Sequence, residues 1–491
     1  MVPQSKAPAA PNPFAPRRYG ELQKITERAY LMRNITNSTF LVGDESVAVI
    51  DTQVNRPTAQ QLLDFIRSVT DKPVAWVINT HYHWDHTNGN QIFKDLGATV
   101  LSSKLTREFM VSRADRQKEF LSGRGFELGA DPFLPEAVFE GEKTIDLGGC
   151  PLRLFFAGRA ETDDATAVHA PTEGLVLAGD TVMTGSFPIF GQPCWDEGLQ
   201  DRQWPETIAK LLALSPRNII PGHGPLAGEA DVRRLLEIEN YFLDEVGRLV
   251  ARGLTAEETL ADLEPRLPGW MRSIPLVWGT PRYAILRVWR GLTRKPGDGE
   301  PGWQRFKPSA IPAPSPALRS KAENLPGGVA EYLSLAGEAK EGGDAGLRLA
   351  ALKQATLKFP ESAEALTAYA EALIEESRAE ASVLEKGDFF AAARRAWDTV
   401  LAREPRHAGA LLGKGRYLTM MAYRGGDDPA EGMKLLETVV SLCPAGRPRA
   451  EAEFYLGIGH RRLGDEARAL RQFARALEFD PAFMPARLAG S

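Results

Sequence analysis

The chain has 491 residues, 43% hydrophobic and 25% charged, a globular balance that excludes wholesale disorder and fibrous repeats. At roughly 150 residues per domain, a single small fold is excluded as well. Lys+Arg 59 against Asp+Glu 64 gives a net charge of -5, with no long run of one sign, so nucleic acid and anionic lipid are not expected partners. Three widely spaced cysteines, Cys150, Cys194 and Cys443, fit neither a disulfide framework nor a Cys-rich zinc site, and a reducing compartment follows.

Residues 1–18 carry five prolines in the first 16 positions and no apolar core of a secretory signal, which predicts a flexible arm. No run of about 18 apolar residues occurs anywhere, so no membrane span and a cytoplasmic location are expected. From residue 19 short apolar runs alternate with turn signals: AYLMRNI, STFLVGD and SVAVIDT, then the amphipathic AQQLLDFIRSVTD, then VAWVINT. Strand, helix, strand at this spacing predicts α/β layering. TIDLGG, PLRLFFAG, TAVHAP and GLVLAGD read as further strands, followed by the helical WPETIAKLLALSP and the run RNIIPGHG.

This layered domain is expected over 19–230, with a helical extension over 231–295 that includes DVRRLLEIENYFLDEVGRLVARG. Seven prolines between 296 and 327 predict a stiff, extended linker. Beyond it, 328–491 is Ala- and Leu-rich and helical, and four helical stretches end at Pro360, Pro405, Pro444 and Pro481. These resemble tetratricopeptide repeats, most closely at Leu456, Gly457, Ala469, Phe473, Ala476 and Pro481, with Ala393, Trp397 and Pro405 at the same offsets. A generic helical bundle is the alternative.

The chemistry is concentrated where VAWVINT runs into His81-Tyr82-His83-Trp84-Asp85-His86, three of the chain's seven histidines and an aspartate within six residues. Alternate residues of an extended segment face the same way, so His81 and His83 can meet one ion while Asp85 and His86, past the bend, reach a second. Imidazole with carboxylate suits zinc, manganese or iron.

The H-x-H-x-D-H pattern after a buried strand resembles the metallo-β-lactamase superfamily, over about residues 19–230. Asp51 closing VAVIDT, Asp180 closing LAGD and His223 in PGHG follow in that family's order. The resemblance implies an αββα sandwich followed here by the all-α repeat domain, with Asp51 structural, Asp180 bridging two metals and His223 a ligand of the second. One position departs: the family's histidine 19 residues before the bridging aspartate is Glu161 here. A carboxylate can take that place, or Glu161 can point away, with Asp163 and Asp164 as fallbacks. A glutamate there is similar to the alkylsulfatase branch, whereas LAGD and PGHG follow the common hydrolase pattern.

The expected metal set is therefore His81, His83, Asp85, His86, Glu161, Asp180 and His223, holding two Zn2+ per chain, with Mn or Fe as alternatives. The resemblance implies a hydrolase that uses a metal-bound hydroxide, with Asp85 as the catalytic residue that orients or deprotonates the water. Arg202, Arg282, Arg287 and Arg290 are candidates to grip an anionic group, and Phe187, Phe190 and Trp195 to wall the cleft. Cys194 carries no sign of a nucleophile paired with a base, and His169, His407 and His460 read as strand or packing residues. The substrate expected is a small-molecule ester, with alkyl sulfates ahead of a lactone, thioester or β-lactam. A mononuclear iron dioxygenase and a repeat-based interaction protein are the readings of other classes. The helical repeats are expected to serve homo-oligomerisation or a protein partner.

Overall fold

The computed structural model describes residues 19–122, 132–191, 202–293, 314–379, 383–425 and 428–490. The arm 1–18, Cys194 and Trp195, and residues 294–313 of the Pro-rich stretch lie outside the described residues. Two compact units divide the chain, Gly20–Ile311 with Ser377–Ala391, and Met1–Tyr19 with Pro312–Glu376 and Ala392–Ser491.

The first unit contains two sheets. One is ordered β1 (Glu21–Lys24), β2 (Ala29–Arg33), β3 (Ser38–Val42), β4 (Val47–Ile50), β5 (Val74–Ile78), β6 (Thr99–Ser103) and β7 (Ala137–Phe139). The other contains β8 (Glu142–Asp146), β9 (Pro151–Gly158), β10 (Ala165–Ala170), β11 (Leu175–Met183) and β12 (Asn218–His223), in the order β12-β11-β10-β9-β8. β4 to β7 pair in parallel, as do β11 and β12, and the remaining neighbours are antiparallel. Parallel neighbours bring their C-terminal ends to the same edge, and the loops that leave those ends carry the functional residues.

The inner faces meet through Leu31, Leu41, Ile50 and Ile78 of the first sheet and Leu152, Leu154, Val168 and Ile220 of the second. Helices cover the outer faces. Of α1 (Arg56–Val69), α2 (Trp84–Thr87), α3 (Asn90–Lys94), α4 (Lys104–Ser112) and α5 (Ala114–Ser122), α1 and α3 close the first sheet through Leu62, Ile66 and Phe93. α1 starts where it does because Asn55 caps it and Pro57 supplies a preset φ in the first turn. α6 (Gln203–Ala213), α7 (Glu229–Ala251), α8 (Ala256–Leu263), α9 (Gly269–Arg272) and α10 (Pro281–Thr293) pack on the second sheet around Trp204, Phe242 and Ile285. The result is an αββα sandwich with a helical extension. Truncating the fully buried Phe242 to alanine would cost about 3–5 kcal/mol.

The second unit is all helical: α11 (Pro316–Glu323), α12 (Val329–Glu341), α13 (Ala345–Lys358), α14 (Ala363–Glu376), α15 (Val383–Arg403), α16 (Ala408–Gly425), α17 (Ala430–Leu442), α18 (Arg447–Arg462), α19 (Glu466–Phe479) and α20 (Met484–Gly490). The early part of α15 is grouped with the first unit. Within the second, Phe454, Phe473 and Phe483 join α18, α19 and the start of α20. The stretch expected to be extended differs here, since α11 forms within it: Ser315 caps the helix and Pro316 sits at its first position, where a missing N–H costs nothing. Among the described residues no helix is long and apolar enough to cross a membrane.

Candidate metal centre

Five segments deliver the site. β4 ends at Asp51, whose backbone is left-handed at φ 58° although it is not glycine. This strained residue accepts hydrogen bonds from the Thr80 N–H at 2.8 Å, the Thr80 hydroxyl at 2.7 Å and His86 Nδ1 at 2.8 Å. Asp51 thus ties the β4 exit to the loop after β5. That loop places His81 and His83 before the single turn α2, which carries Asp85 and His86. Glu161 comes from the β9–β10 connection, Asp180 from within β11 and His223 from the end of β12.

The ligand atoms fall into overlapping groups, each within 4.8 Å: His81, His83, Glu161 and Asp180 form one, and Asp85, His86 and His223 another. Asp180 is common to both sides, with Oδ2 3.6 Å from His81 Nε2 and 3.3 Å from His223 Nε2, and Oδ1 3.3 Å from His86 Nε2. Asp85 Oδ2 stands 3.4 Å from Nε2 of both His86 and His223. Glu161 Oε2 is 3.4 Å from His83 Nδ1, so this carboxylate points into the cluster. Asp51 also groups with His81 and His86.

Ring orientation is set from behind. His223 Nδ1 donates to the Ile35 carbonyl at 2.6 Å and His86 Nδ1 to Asp51. The Thr80 hydroxyl proton is committed to Asp51, so its oxygen accepts from His81 Nδ1 at 3.0 Å. With its proton displaced by a metal ion, each of these rings would aim an Nε2 lone pair at the cluster. His81, His83 and His86 Nε2 and Asp180 Oδ1 are buried without a hydrogen-bond partner among the described residues. The orphaned His81 and His86 Nε2 and Asp180 Oδ1, gathered with the other carboxylates and with His83, which turns its Nδ1 to Glu161, fit divalent metal ions.

The charge pattern differs between the two sides. Burial and the neighbouring His86 push His81 down to about 4. His83 is lowered well below its usual value by burial and by His81. Burial opposes protonation of His223 too, but Asp180 and Asp85 outweigh it and raise the ring to about 10, and the same carboxylates with Asp51 raise His86. Burial alone would raise Asp85 and Asp180, yet the facing imidazoles hold both well below the carboxylate range.

Close packing fixes the shared carboxylate. A Cβ on Gly222 would meet Asp180 Oδ1 at 1.9 Å, so only glycine lets β12 pass that side chain.

Several sequence candidates stand elsewhere. Phe187 and Phe190 do not wall a cleft: both are fully buried, packed on Phe242 with centroids at 5.8 Å and 5.4 Å, because the chain leaving β11 turns under α6 and α7. Arg202 pairs with Asp244 and Arg282 with Glu264 on exposed helix surfaces. Arg287 is buried; a Cβ on Gly191 would meet its Nη2 at 3.7 Å and the Glu161 carbonyl at 2.9 Å, which puts the guanidinium beside the Glu161 loop. Arg290 is half-buried on the same helix. Asp163 faces Arg113 at 3.5 Å rather than the cluster groups. His169 is a half-buried strand residue, and His407 Nδ1 accepts from the Ala410 N–H at 3.2 Å at the start of α16.

Two neighbours of the site carry no sequence signal of their own. Arg113 lies over the Phe109 ring at 3.4 Å and the Tyr82 ring at 5.2 Å, bracing the His81–His83 loop. Thr36, fully buried, donates to Asp85 Oδ2 at 2.7 Å.

Residues 31–223 match the family described as the Metallo-beta-lactamase superfamily. A linear primary-alkylsulfatase of Pseudomonas sp. is 22% identical over 343 residues, 62% of this chain and 63% of that protein, so the chain spans less than two thirds of its length. A metallo-beta-lactamase type 2 of Bacteroides fragilis is 22% identical over 218 residues, 43% of this chain and 78% of that one. Among solved structures, the stereoselective inverting sec-alkylsulfatase Pisa1 from Pseudomonas sp. superposes with a TM-score of 0.58 at 17% identity, covering 78% of this chain and 66% of that chain.

Proposed function

With residues 31–223 forming a metallo-β-lactamase domain, we propose that this chain is a metal-dependent hydrolase holding two ions, with alkyl sulfates or related esters as its substrates. The observation that carries the reading is two donor groups with Asp180 in one and 3.3 Å from His86 and His223 of the other, while the Nε2 atoms of His81 and His86 are buried there without a hydrogen-bond partner among the described residues. His81, His83 and Glu161 would hold one ion and Asp85, His86 and His223 the other, with Asp180 between them. Zinc suits this donor set, and manganese or iron fits the extra carboxylate. Ions held there by these residues would supply Lewis acidity, polarising the ester and lowering the pKa of bound water.

The protein's own part is orientation. Asp85, fixed by Thr36, presents a carboxylate at the cluster that can accept a proton from attacking water. Of the four arginines, Arg287 is the buried one beside the Glu161 loop, and it would be the one to supply positive charge for an anionic group. Burial of the cluster excludes bulk water and keeps the charges effective.

The sulfate-ester choice is supported by Glu161, by the helical half and by the likeness to the linear primary-alkylsulfatase. A carbonyl substrate is the second reading, supported by the likeness to the type 2 metallo-beta-lactamase. The test is elemental analysis of protein prepared without chelators, followed by turnover of medium-chain alkyl sulfates, lactones, thioesters and a chromogenic β-lactam with and without EDTA. Two ions and chelator-sensitive sulfate release are expected. Turnover confined to carbonyl substrates would remove the sulfatase reading and leave the hydrolase, and fewer than two ions would remove the two-ion site.

A further inference from the structure

The segment Ser273–Thr280, SIPLVWGT, joins α9 to α10 and is apolar at five of its eight positions, counting its proline. Ile274 and Leu276 pack against the helical layer. Val277 and Trp278 do not: Val277 is 45% exposed and Trp278 is half-buried, with its ring centroid 4.9 Å from that of His223 and tilted by 46°. An exposed aliphatic side chain beside an indole, against a histidine of the metal cluster, is an apolar surface at the edge of the reacting centre.

That surface is held rigidly. Ser186 Oγ accepts from the Val277 N–H at 2.9 Å and the Trp278 N–H at 3.1 Å, and donates to the Pro275 carbonyl at 2.9 Å. The Phe187 N–H donates to the same carbonyl at 2.7 Å, and the Gly279 N–H donates to the Phe187 carbonyl at 3.0 Å. A Cβ at Gly279 would meet the Pro188 carbonyl oxygen at 1.9 Å, so the glycine is what lets the segment lie this close. The Phe187 and Phe190 rings beneath are fully buried. A fixed indole loses little conformational freedom when a ligand covers it, which makes it an effective contact for a hydrocarbon.

We propose that Trp278, with Val277, forms the shelf that seats the hydrocarbon part of the substrate and so determines its chain-length preference. The proposal rests on the reading of an ester hydrolase with an alkyl-bearing substrate and names the residue that recognises the alkyl part. Each methylene laid against the shelf, at about 0.8 kcal/mol when fully buried, gives about a twofold to fourfold gain in binding.

The test uses the full chain with its metals and a series of straight alkanesulfonates of two to twelve carbons, which cannot be hydrolysed, with affinities measured by calorimetry. In the wild type, affinity should rise about twofold to fourfold per methylene over the first several carbons. Trp278→Ala should flatten that slope while metal content stays the same, and Trp278→Phe should keep most of it. Trp278→Gln, which keeps a long side chain but replaces the apolar ring with a polar amide, provides a second variant should the alanine variant fold poorly. An equal slope in wild type and in a folded, metal-bearing alanine or glutamine variant, or a flat slope in the wild type, would overturn the proposal. A Trp278-dependent slope without turnover of any ester would leave the shelf and sink the hydrolase. Ester turnover with slopes indifferent to Trp278 would do the reverse.

Discussion

Thr36 Oγ1 donates a 2.7 Å hydrogen bond to Oδ2 of Asp85, the same oxygen that lies 3.4 Å from Nε2 of both His86 and His223. Thr36 is itself fixed from behind, since its carbonyl accepts from Gln53 Nε2 at 2.8 Å. A hydrogen bond to a charged acceptor is worth about 1.5–3 kcal/mol, and residues that orient metal ligands typically change affinity or activity about 10–100-fold. Thr36→Val, which keeps the shape and removes the donor, should therefore lower kcat and weaken one ion by about that factor. Thr36→Ser should restore both. Steady-state kinetics and titration against a competing chelator decide it, and a valine variant equal to the wild type in both would show that Asp85 needs no such support.

Glu161 is 2% exposed and faces His83, so it should behave as a donor rather than as a loop residue. Glu161→Ala should release one ion and lower activity in parallel, whereas Glu161→His should keep two ions. His83→Ala should lose an ion as well. Wild-type occupancy in the alanine variant at position 161 would place the metals without that carboxylate.

The strand-forming runs are legible because β2 to β5 and β9 to β12 are short, largely apolar segments bounded by turns, and the ligand motifs because His81, His83, Asp85 and His86 lie within six residues. β1 is not, since ELQK is a largely exposed edge strand without apolar alternation. β6 and β7 carry little signal because they are short and flanked by helical or polar text. Phe187 and Phe190 follow Asp180 closely in sequence, which suggested a cleft wall. Their true surroundings, Phe242 of α7 and Trp204 of α6, depend on how the helical layer folds back. Thr36 and Trp278 reach the cluster from 49 residues before Asp85 and 55 residues after His223. Neither residue type carries a signal at such separation. α11 was hidden by its own prolines, one of which starts the helix.

Gly222 offers a test of how tightly the shared carboxylate is placed. An alanine there would bring a methyl group to 1.9 Å from Asp180 Oδ1, and also to 2.9 Å from the Asp180 N–H nitrogen, so something must shift. The side chain of Asp180 can turn more readily than two paired strands can separate. Gly222→Ala should therefore give a folded protein with depleted metal and activity lowered at least about 100-fold, because both donor groups use Asp180. Full metal content in that variant would mean that β12 moves instead.

Glu239 bears on stability rather than chemistry. It lies on the buried face of α7, is fully buried, and neither carboxylate oxygen has a hydrogen-bond partner among the described residues. Burial raises its pKa well above the ordinary 4.5, so the native chain keeps a proton that the unfolded chain releases above about that pH. With more protons bound in the native state than in the unfolded one, stability must fall as pH rises from 4.5 towards the native value, and the loss is absent below 4.5. Glu239→Leu removes both the titration and the cost of an unsatisfied buried group, about 1–3 kcal/mol, and should raise Tm by several degrees. Glu239→Gln should remove the pH dependence alone. The decisive measurement is the difference in Tm between Glu239→Leu and wild type across pH 5 to 9. That gap should widen as pH increases, and a gap that stays constant or narrows would show that Glu239 is charged and compensated in the folded protein.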